Sequence, residues 1–327
     1  MKLSELLKKI EHKKLVVFHT PNDFLQINAA YSDGKIRGYE IVIRITEKCN
    51  LGCEYCFVDH KKKYISEKNL DYFFEMVRKT NLSGSILVFS GGEPTIHPKL
   101  IEYIHSAEKS NAKIRIQTNA VLFSKIELID KLEKIANVDF FVSLPSSNEY
   151  KYNNITNSRE FFRAVEGIRN ISKEHKVIIN HVLYKKNYEE LGQLFELAIK
   201  EFNRENVEIL ISNIGLTNKF EADDKLEKYR KIISIIKNPI EKYRSKIKIG
   251  FTMSGGCSFP FCILNSLGID KKENLFKANI NIISTDLLER QFYKKKTCKQ
   301  CKYDEYCQGF LKEYVELFGN DELEPVG

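Results

Sequence analysis

Short apolar runs bounded by turn residues alternate with stretches of helical period along most of this chain. "YEIVIRIT" (39–46), "SILVFS" (85–90), "KIRIQT" (113–118), "VDFFVS" (138–143), "KVIINHVL" (176–183) and "NVEILIS" (206–212) read as six strands. Most are near-continuous in Val, Ile, Leu and Phe, the pattern of strands covered on both faces. Helical stretches lie between them at 67–80, 98–111, 123–136, 157–173 and 187–203, with Pro98 where a helix can start. Strand–helix alternation predicts a parallel α/β domain with right-handed crossovers. The pattern alone does not separate a barrel from an open sheet.

The first 38 residues read as a short helix and a hairpin turning at "SDGK" (32–35). After residue 215 the rhythm changes: a charged helical segment (about 222–245) leads into "KIKIGFTMSGGCSFPFCIL" and a cysteine-rich end. These breaks divide the sequence into residues 1–38, 39–245 and 246–327. Over 327 residues, 43% hydrophobic and 29% charged content is that of an ordinary globular protein. No run approaches the ~20 apolar residues of a membrane span. "LVVF" near the N-terminus is too short for a signal peptide, so the expected location is the cytoplasm. The net charge of +8 comes from lysines spread over helix faces, dense only in "HKKKY" (60–64) and "YKKKTCKQCK" (293–302). A solvated surface accounts for that spread better than a nucleic-acid footprint.

In a reducing compartment eight cysteines read as metal sites rather than a disulfide framework. They fall into Cys49, Cys53 and Cys56, then Cys257 and Cys262, then Cys298, Cys301 and Cys307. A structural zinc or a cubane iron–sulfur cluster takes four protein ligands, so "EKCNLGCEYCF" (47–57) leaves one metal position open. His60 is the nearest fourth candidate, but its lysine-rich neighbourhood opposes a cation, which favours iron–sulfur over zinc. The loop follows the first long strand, and in parallel α/β folds ligands gather at such C-terminal strand ends. The next strand ends there too, in "FSGGEPTIHP". Gly91 and Gly92 permit close backbone approach, and the Glu93 carboxylate suits a ligand bearing an ammonium group. By itself the same stretch reads equally well as a turn closing a strand.

Cys-x3-Cys-x2-Cys with Tyr55 before its last cysteine, followed one strand later by Gly91-Gly92-Glu93-Pro94, resembles the radical S-adenosylmethionine (SAM) superfamily. The resemblance covers about residues 39–215 and implies a partial (β/α)6 barrel core. It implies that Cys49, Cys53 and Cys56 hold a [4Fe–4S] cluster whose fourth iron takes the amine and carboxylate of SAM. Gly91, Gly92 and Glu93 would then receive that amine. Electrons would come from a donor such as flavodoxin or ferredoxin, and reductive cleavage of SAM would give a 5′-deoxyadenosyl radical that abstracts a substrate hydrogen atom. By strand order the resemblance also carries cofactor contacts to Ser143 and Asn180, and less directly to Thr118 and Asn119. Any of these four could instead satisfy backbone groups at a strand end.

"CKQCKYDEYCQGF" (298–310) resembles the tail of the SPASM and twitch auxiliary-cluster domains, the shorter twitch form fitting better because a further cysteine is absent. The resemblance implies a small C-terminal cysteine-rich domain in which Cys262, Cys298, Cys301 and Cys307 hold a second [4Fe–4S] cluster. Cys257 is the alternative to Cys262, and zinc is a rival metal. If Cys257 is not a ligand, it is a hydrogen-atom donor to the substrate radical or a packing residue. The sequence thus points to a radical SAM enzyme, first a maturase of ribosomally made peptides. The alternatives are an enzyme of a small-molecule or sugar metabolite and a non-catalytic metal-binding module.

Overall fold

The computed structural model describes residues 3–12, 17–19, 25–32, 35–56, 58, 66–132, 135, 137–214, 222–252, 257–269, 292–304 and 307–327. Asp33 and Gly34 of the expected hairpin turn, and His60, lie outside the described residues. The chain divides into two compact units, one of residues 1–143 and 153–178, the other of 144–152 and 179–327.

The first unit opens with α1 (Leu3–His12), in which Leu3, Leu6 and Leu7 are buried at helical spacing. Strands β1 (Val17–His19), β2 (Leu25–Ser32) and β3 (Lys35–Thr46) pair antiparallel. β4 (Ile86–Gly91), β5 (Lys113–Thr118) and β6 (Val138–Ser143) then add in parallel, in sequence order. The crossovers carry α2 (Glu67–Arg78), α3 (Leu100–Glu108) and α4 (Ile126–Leu132). α2 begins where the Ser66 side chain accepts from the Asn69 N–H, and buries Leu70, Phe73, Phe74 and Val77. Phe74 stacks on Phe89 of β4 (5.4 Å) and Tyr103 of α3 (4.3 Å), clamping both helices to one face of the sheet. α5 (Glu149–Thr156) crosses the division between the units, and α6 (Phe161–Ile171) completes the first.

β7 (Lys176–Leu183) carries the chain into the second unit, which continues with α7 (Leu191–Glu201), β8 (Val207–Asn213), α8 (Ala222–Lys225) and α9 (Tyr229–Tyr243). β9 (Lys248–Phe251) pairs parallel with β8. The cysteine-rich end supplies α10 (Phe261–Ser266), the short antiparallel pair β10 (Phe292–Tyr293) and β11 (Phe310–Leu311), and α11 (Lys312–Phe318). All six strands read from the sequence are present, whereas β9 was not among them because Lys248 and Gly250 interrupt its apolar run. No helix among the described residues is long and apolar enough to cross a membrane.

β5 alternates: Ile114 and Ile116 are fully buried, whereas Lys113, Arg115 and Gln117 stay half-buried on the other face. There Arg115 grips Asp139 of β6 through two bonds (2.7 and 2.8 Å), and Lys113 adds a third contact at 2.7 Å. Burial works to raise the Asp139 carboxyl, but the two cations outweigh it and hold the group below its ordinary value. A depressed carboxyl stabilises the fold above its unfolded pKa, and the contribution fades as pH falls through the folded pKa. Asp139→Asn removes the negative charge that faces Arg115 and Lys113 and should cost about 3 kcal/mol in chemical denaturation near neutral pH. The penalty should shrink as pH falls below the ordinary carboxylate range, where protonation progressively removes the pair from wild type too; a penalty independent of pH would contradict this assignment.

Candidate active site

In the first unit, β3, β4, β5 and β6 end at the same edge of the sheet, and their following residues build the site. The loop after β3 holds Cys49, Cys53 and Cys56 and is anchored to the end of α5. Gly52 N–H donates to the Thr156 carbonyl (2.8 Å) and Glu54 N–H to the Ile155 carbonyl (2.9 Å). Within the loop, Cys56 N–H closes a turn onto the Cys53 carbonyl (3.1 Å). The Cys49 sulfur accepts from Leu51 N–H (3.4 Å) and from Asn119 Nδ2 (3.9 Å). Burial pushes the Cys49 thiol up to about 11 and the Cys53 thiol up to about 12, each raised further by the neighbouring cysteines. Cys49 and Cys53 would therefore bind a cation by releasing protons to it.

Gly91 and Gly92 are needed for approach to the chain's own backbone. Gly92 N–H donates to the Thr46 carbonyl (2.7 Å) and Glu93 N–H to the Lys48 carbonyl (2.8 Å), fastening the end of β4 to the start of the cysteine loop. A Cβ on Gly91 (φ +138°) would lie 2.0 Å from the Thr46 oxygen, and one on Gly92 would lie 2.2 Å from that of Lys48.

Glu93 is 1% exposed, and its carboxylate receives four protein donors. Oε1 accepts from Thr95 N–H (3.1 Å), Thr95 Oγ1 (2.6 Å) and Thr118 Oγ1 (2.7 Å), while Oε2 accepts from Asn119 N–H (2.7 Å). Burial raises the carboxyl above its usual range and these donors oppose the rise. Oε2, with a single donor, keeps acceptor capacity for one more group, as an ammonium would require. Asn119 also donates from Nδ2 to Asn50 Oδ1 (2.8 Å), linking the carboxylate to the cysteine loop. Thr118 and Asn119 therefore hold Glu93. Thr95 and Asn50 escaped the sequence reading, although a threonine two residues after Glu93 is the sequence mark of a side-chain cap on the short helical turn 94–96.

The other site residues read from the sequence are placed as follows. Tyr55 is half-buried on the cysteine loop and Ser143 is exposed at the end of β6. In the second unit, Asn180 on β7 accepts from Ser212 Oγ (2.6 Å) through Oδ1. Cys262, Cys298, Cys301 and Cys307 line one small cavity of about 20 Å³, bordered by Pro260, Leu323 and Pro325. The Cys307 sulfur accepts from Phe261 N–H (3.5 Å) and Gly309 N–H (3.4 Å), and that of Cys301 from Val326 N–H (3.3 Å). Sulfurs that accept backbone N–H groups suit thiolate ligation, but among the described residues no three His, Cys, Asp or Glu side chains are gathered closely enough to form a closed metal site. Residues 323–326 had carried no signal in the sequence. Cys257 follows β9, its carbonyl accepting from the N–H of Asn213 at the end of β8 (2.9 Å), and is not among the residues lining this cavity.

The backbone contacts yield a contrast between two glycines. Gly92→Ala should cost about 1–3 kcal/mol in chemical denaturation, because the added carbon meets a carbonyl that is itself hydrogen-bonded. Gly52→Ala, whose Cβ would stand at an ordinary 3.5 Å from Asn157, should stay within about 0.5 kcal/mol of wild type. Equal stability of the two variants would show that the fastening of β4 to the loop is dispensable.

Residues 43–198 match the Radical SAM superfamily. Among curated proteins, the chain is 26% identical over 243 residues to the Fe-coproporphyrin III synthase of Methanosarcina barkeri, covering 72% of this chain and 59% of that protein. It is 27% identical over 168 residues to the GTP 3′,8-cyclase of Clostridium botulinum, covering 48% of this chain and 52% of that protein. The match thus spans little more than half the length of these relatives. Among solved structures, Streptococcus suis SuiB bound to S-adenosylmethionine shares the fold with a TM-score of 0.58 at 16% identity, over 99% of this chain and 80% of that one. The anSMEcpe structure with bound AdoMet and the Cp18Cys peptide follows with a TM-score of 0.52 at 16% identity, over 88% of this chain and 92% of that one. The superfamily uses a [4Fe–4S] cluster together with SAM, and Cys49, Cys53 and Cys56 fit its cluster motif. The chain therefore carries a radical SAM superfamily domain across residues 43–198.

Proposed function

We propose that this chain is a radical SAM enzyme that modifies a peptide and holds a second iron–sulfur cluster on Cys262, Cys298, Cys301 and Cys307. The observation that carries the two-cluster reading is the convergence of those four cysteines on one cavity, in a chain that already presents a three-cysteine loop. In this reading residues 1–38 are an N-terminal extension, 39–245 the radical SAM core and 246–327 the auxiliary-cluster domain. Cluster and SAM together supply, when bound, hydrogen-atom abstraction driven by one electron, which a flavodoxin or ferredoxin would deliver. The chain's own part is positional. The α5 carbonyls and the Thr46–Lys48 segment fix the cysteine loop, and Glu93 offers Oε2 to the ammonium of the methionyl group. Tyr55 and Ser143 would be further cofactor contacts from the same unit, and Asn180 stays a candidate on sequence grounds.

Support for a peptide substrate comes from the fold shared with SuiB bound to its precursor peptide SuiA, with a TM-score of 0.57 over 97% of this chain. A small-molecule substrate is the second reading, favoured by the coproporphyrin synthase and GTP cyclase among the sequence relatives. Acceleration of SAM cleavage by a short peptide encoded beside this gene would support the first. Acceleration by small metabolites and by no such peptide would support the second.

Anaerobically reconstituted protein should hold about eight irons in two cubanes. Replacing Cys49, Cys53 and Cys56 with alanine should leave about four, as should Cys262→Ala, whereas Cys257→Ala should keep both clusters. Zinc without iron in the wild type would defeat both cluster readings, and loss of a cluster in Cys257→Ala with none in Cys262→Ala would reverse the ligand set. If Cys257 donates a hydrogen atom, its alanine variant should cleave SAM but fail to complete product, and wild type should place solvent deuterium at the attacked carbon.

Glu93→Gln removes a charge-assisted hydrogen bond worth roughly 1.5–3 kcal/mol. The variant should retain the first cluster and bind SAM about tenfold more weakly in equilibrium titration. Unchanged affinity would confine Glu93 to holding the loop.

A further inference from the structure

On β3, Ile41, Ile43 and Ile45 are at most 1% exposed, so they belong to the face of the first unit's sheet that is covered. Val42 and Arg44 alternate with them and lie half-buried on the opposite face. Arg44 is in register with Ser90 of β4, and Gln117 of β5 is in register with Phe141 of β6. Ser90 Oγ donates to Gln117 Oε1 at 2.6 Å, so the four residues form one row across four strands. The row lies one residue short of Gly91 and Thr118, directly before the segments that carry the glycines, Glu93 and Asn119.

Charge balance differs sharply along this face. One and two rows further from the site, Arg115 and Lys113 are matched by Asp139, and two rows further Glu40 of β3 accepts from Asn28 of β2 (2.9 Å). In the upper row, the Arg44 guanidinium has neither an ion pair nor a hydrogen bond among the described residues. A half-buried guanidinium without an acceptor is costly, and its planar fork of donors matches the oxygens of a carboxylate or a phosphate. Gln117 is half-buried in the same row, and with its amide oxygen engaged by Ser90 its NH2 group is a donor for a further partner. A donor fork in the same row as an amide, with no anion among the described residues to fill it, is a recognition element for an oxyanion.

We propose that Arg44, assisted by Gln117, binds an anionic group of the substrate, a carboxylate or a phosphate, and so orients that substrate beneath the cysteine loop. The proposal rests on the reading of that loop as the reaction centre, and it assigns the substrate a negative charge.

Reconstituted protein is titrated calorimetrically with inorganic phosphate and, separately, with glutarate, each with and without SAM, and SAM affinity is measured in parallel. Wild type should bind at least one of the two anions. Arg44→Gln should bind it at least about tenfold more weakly, with SAM affinity changed less than about twofold. Arg44→Lys should recover part of the loss, and Gln117→Leu should weaken the same anion severalfold. Binding of glutarate alone identifies a carboxylate, of phosphate alone a phosphoryl group, and of both a site that reads charge. Equal anion binding by wild type and Arg44→Gln, or no binding of either anion by wild type, would overturn the proposal. So would an Arg44→Gln variant whose main loss is in SAM affinity, because Arg44 would then serve the cofactor. Failure of wild type to bind SAM would count against the cysteine-loop reading, while the anion comparison without SAM would still decide the role of Arg44.

Discussion

A buried carboxylate holds the first unit's site together. Glu93 carries a charge that is expensive to bury, and the structure meets that cost with four donors from the turns after β4 and β5. Two of those donors belong to Thr118 and Asn119, and Asn119 in turn reaches Asn50 and the Cys49 sulfur. The ends of three strands are thereby tied to one residue. Loss of any member leaves a buried group unsatisfied, which makes the cluster of bonds cooperative rather than a sum of separate contacts. The same carboxylate retains capacity on Oε2, so the residue that fixes the loop is also the one available to a cationic ligand.

How much of this was legible beforehand follows from what chemistry demands of residue type. The cysteine loop and Gly91–Glu93 stand out because metal ligation and close backbone packing tolerate few substitutes at those spacings. Strand positions were equally readable: β5 occupies residues 113–118, where "KIRIQT" placed it. The reason for the glycines was only half readable. Space for a ligand was expected, and the nearest obstacles proved to be the Thr46 and Lys48 carbonyls of the chain itself. α5 was missed because "EYKYNNIT" lacks an apolar stripe, yet two of its carbonyls anchor the cysteine loop. Such backbone-to-backbone anchors depend on tertiary placement and leave no mark in local sequence.

The second unit uses a different means to gather its cysteines. Among the described residues, the cavity they line also carries Lys294, Asp304 and Glu324. Cys262 sits in the first turn of α10, Cys298 on the short helical turn 296–300 and Cys307 just before β11, and the chain's last residues close the remaining side. Val326 exchanges two bonds with this region, donating to the Cys301 sulfur and accepting from Lys302 N–H at 3.0 Å. Glu322, just before, caps the start of α9 through Tyr229 and Arg230 N–H groups (3.2 and 3.0 Å). The tail is therefore fastened at both ends of its run past the cavity.

The three-cysteine loop leaves one metal position for a bound molecule, and in the proposed function that molecule is SAM. Mössbauer spectroscopy of 57Fe-reconstituted protein, with the C-terminal site emptied by Cys262→Ala, reads that position directly. Addition of SAM should shift the parameters of one iron of the cluster toward higher coordination while the other three keep theirs. Four irons that respond identically, or do not respond at all, would contradict the account.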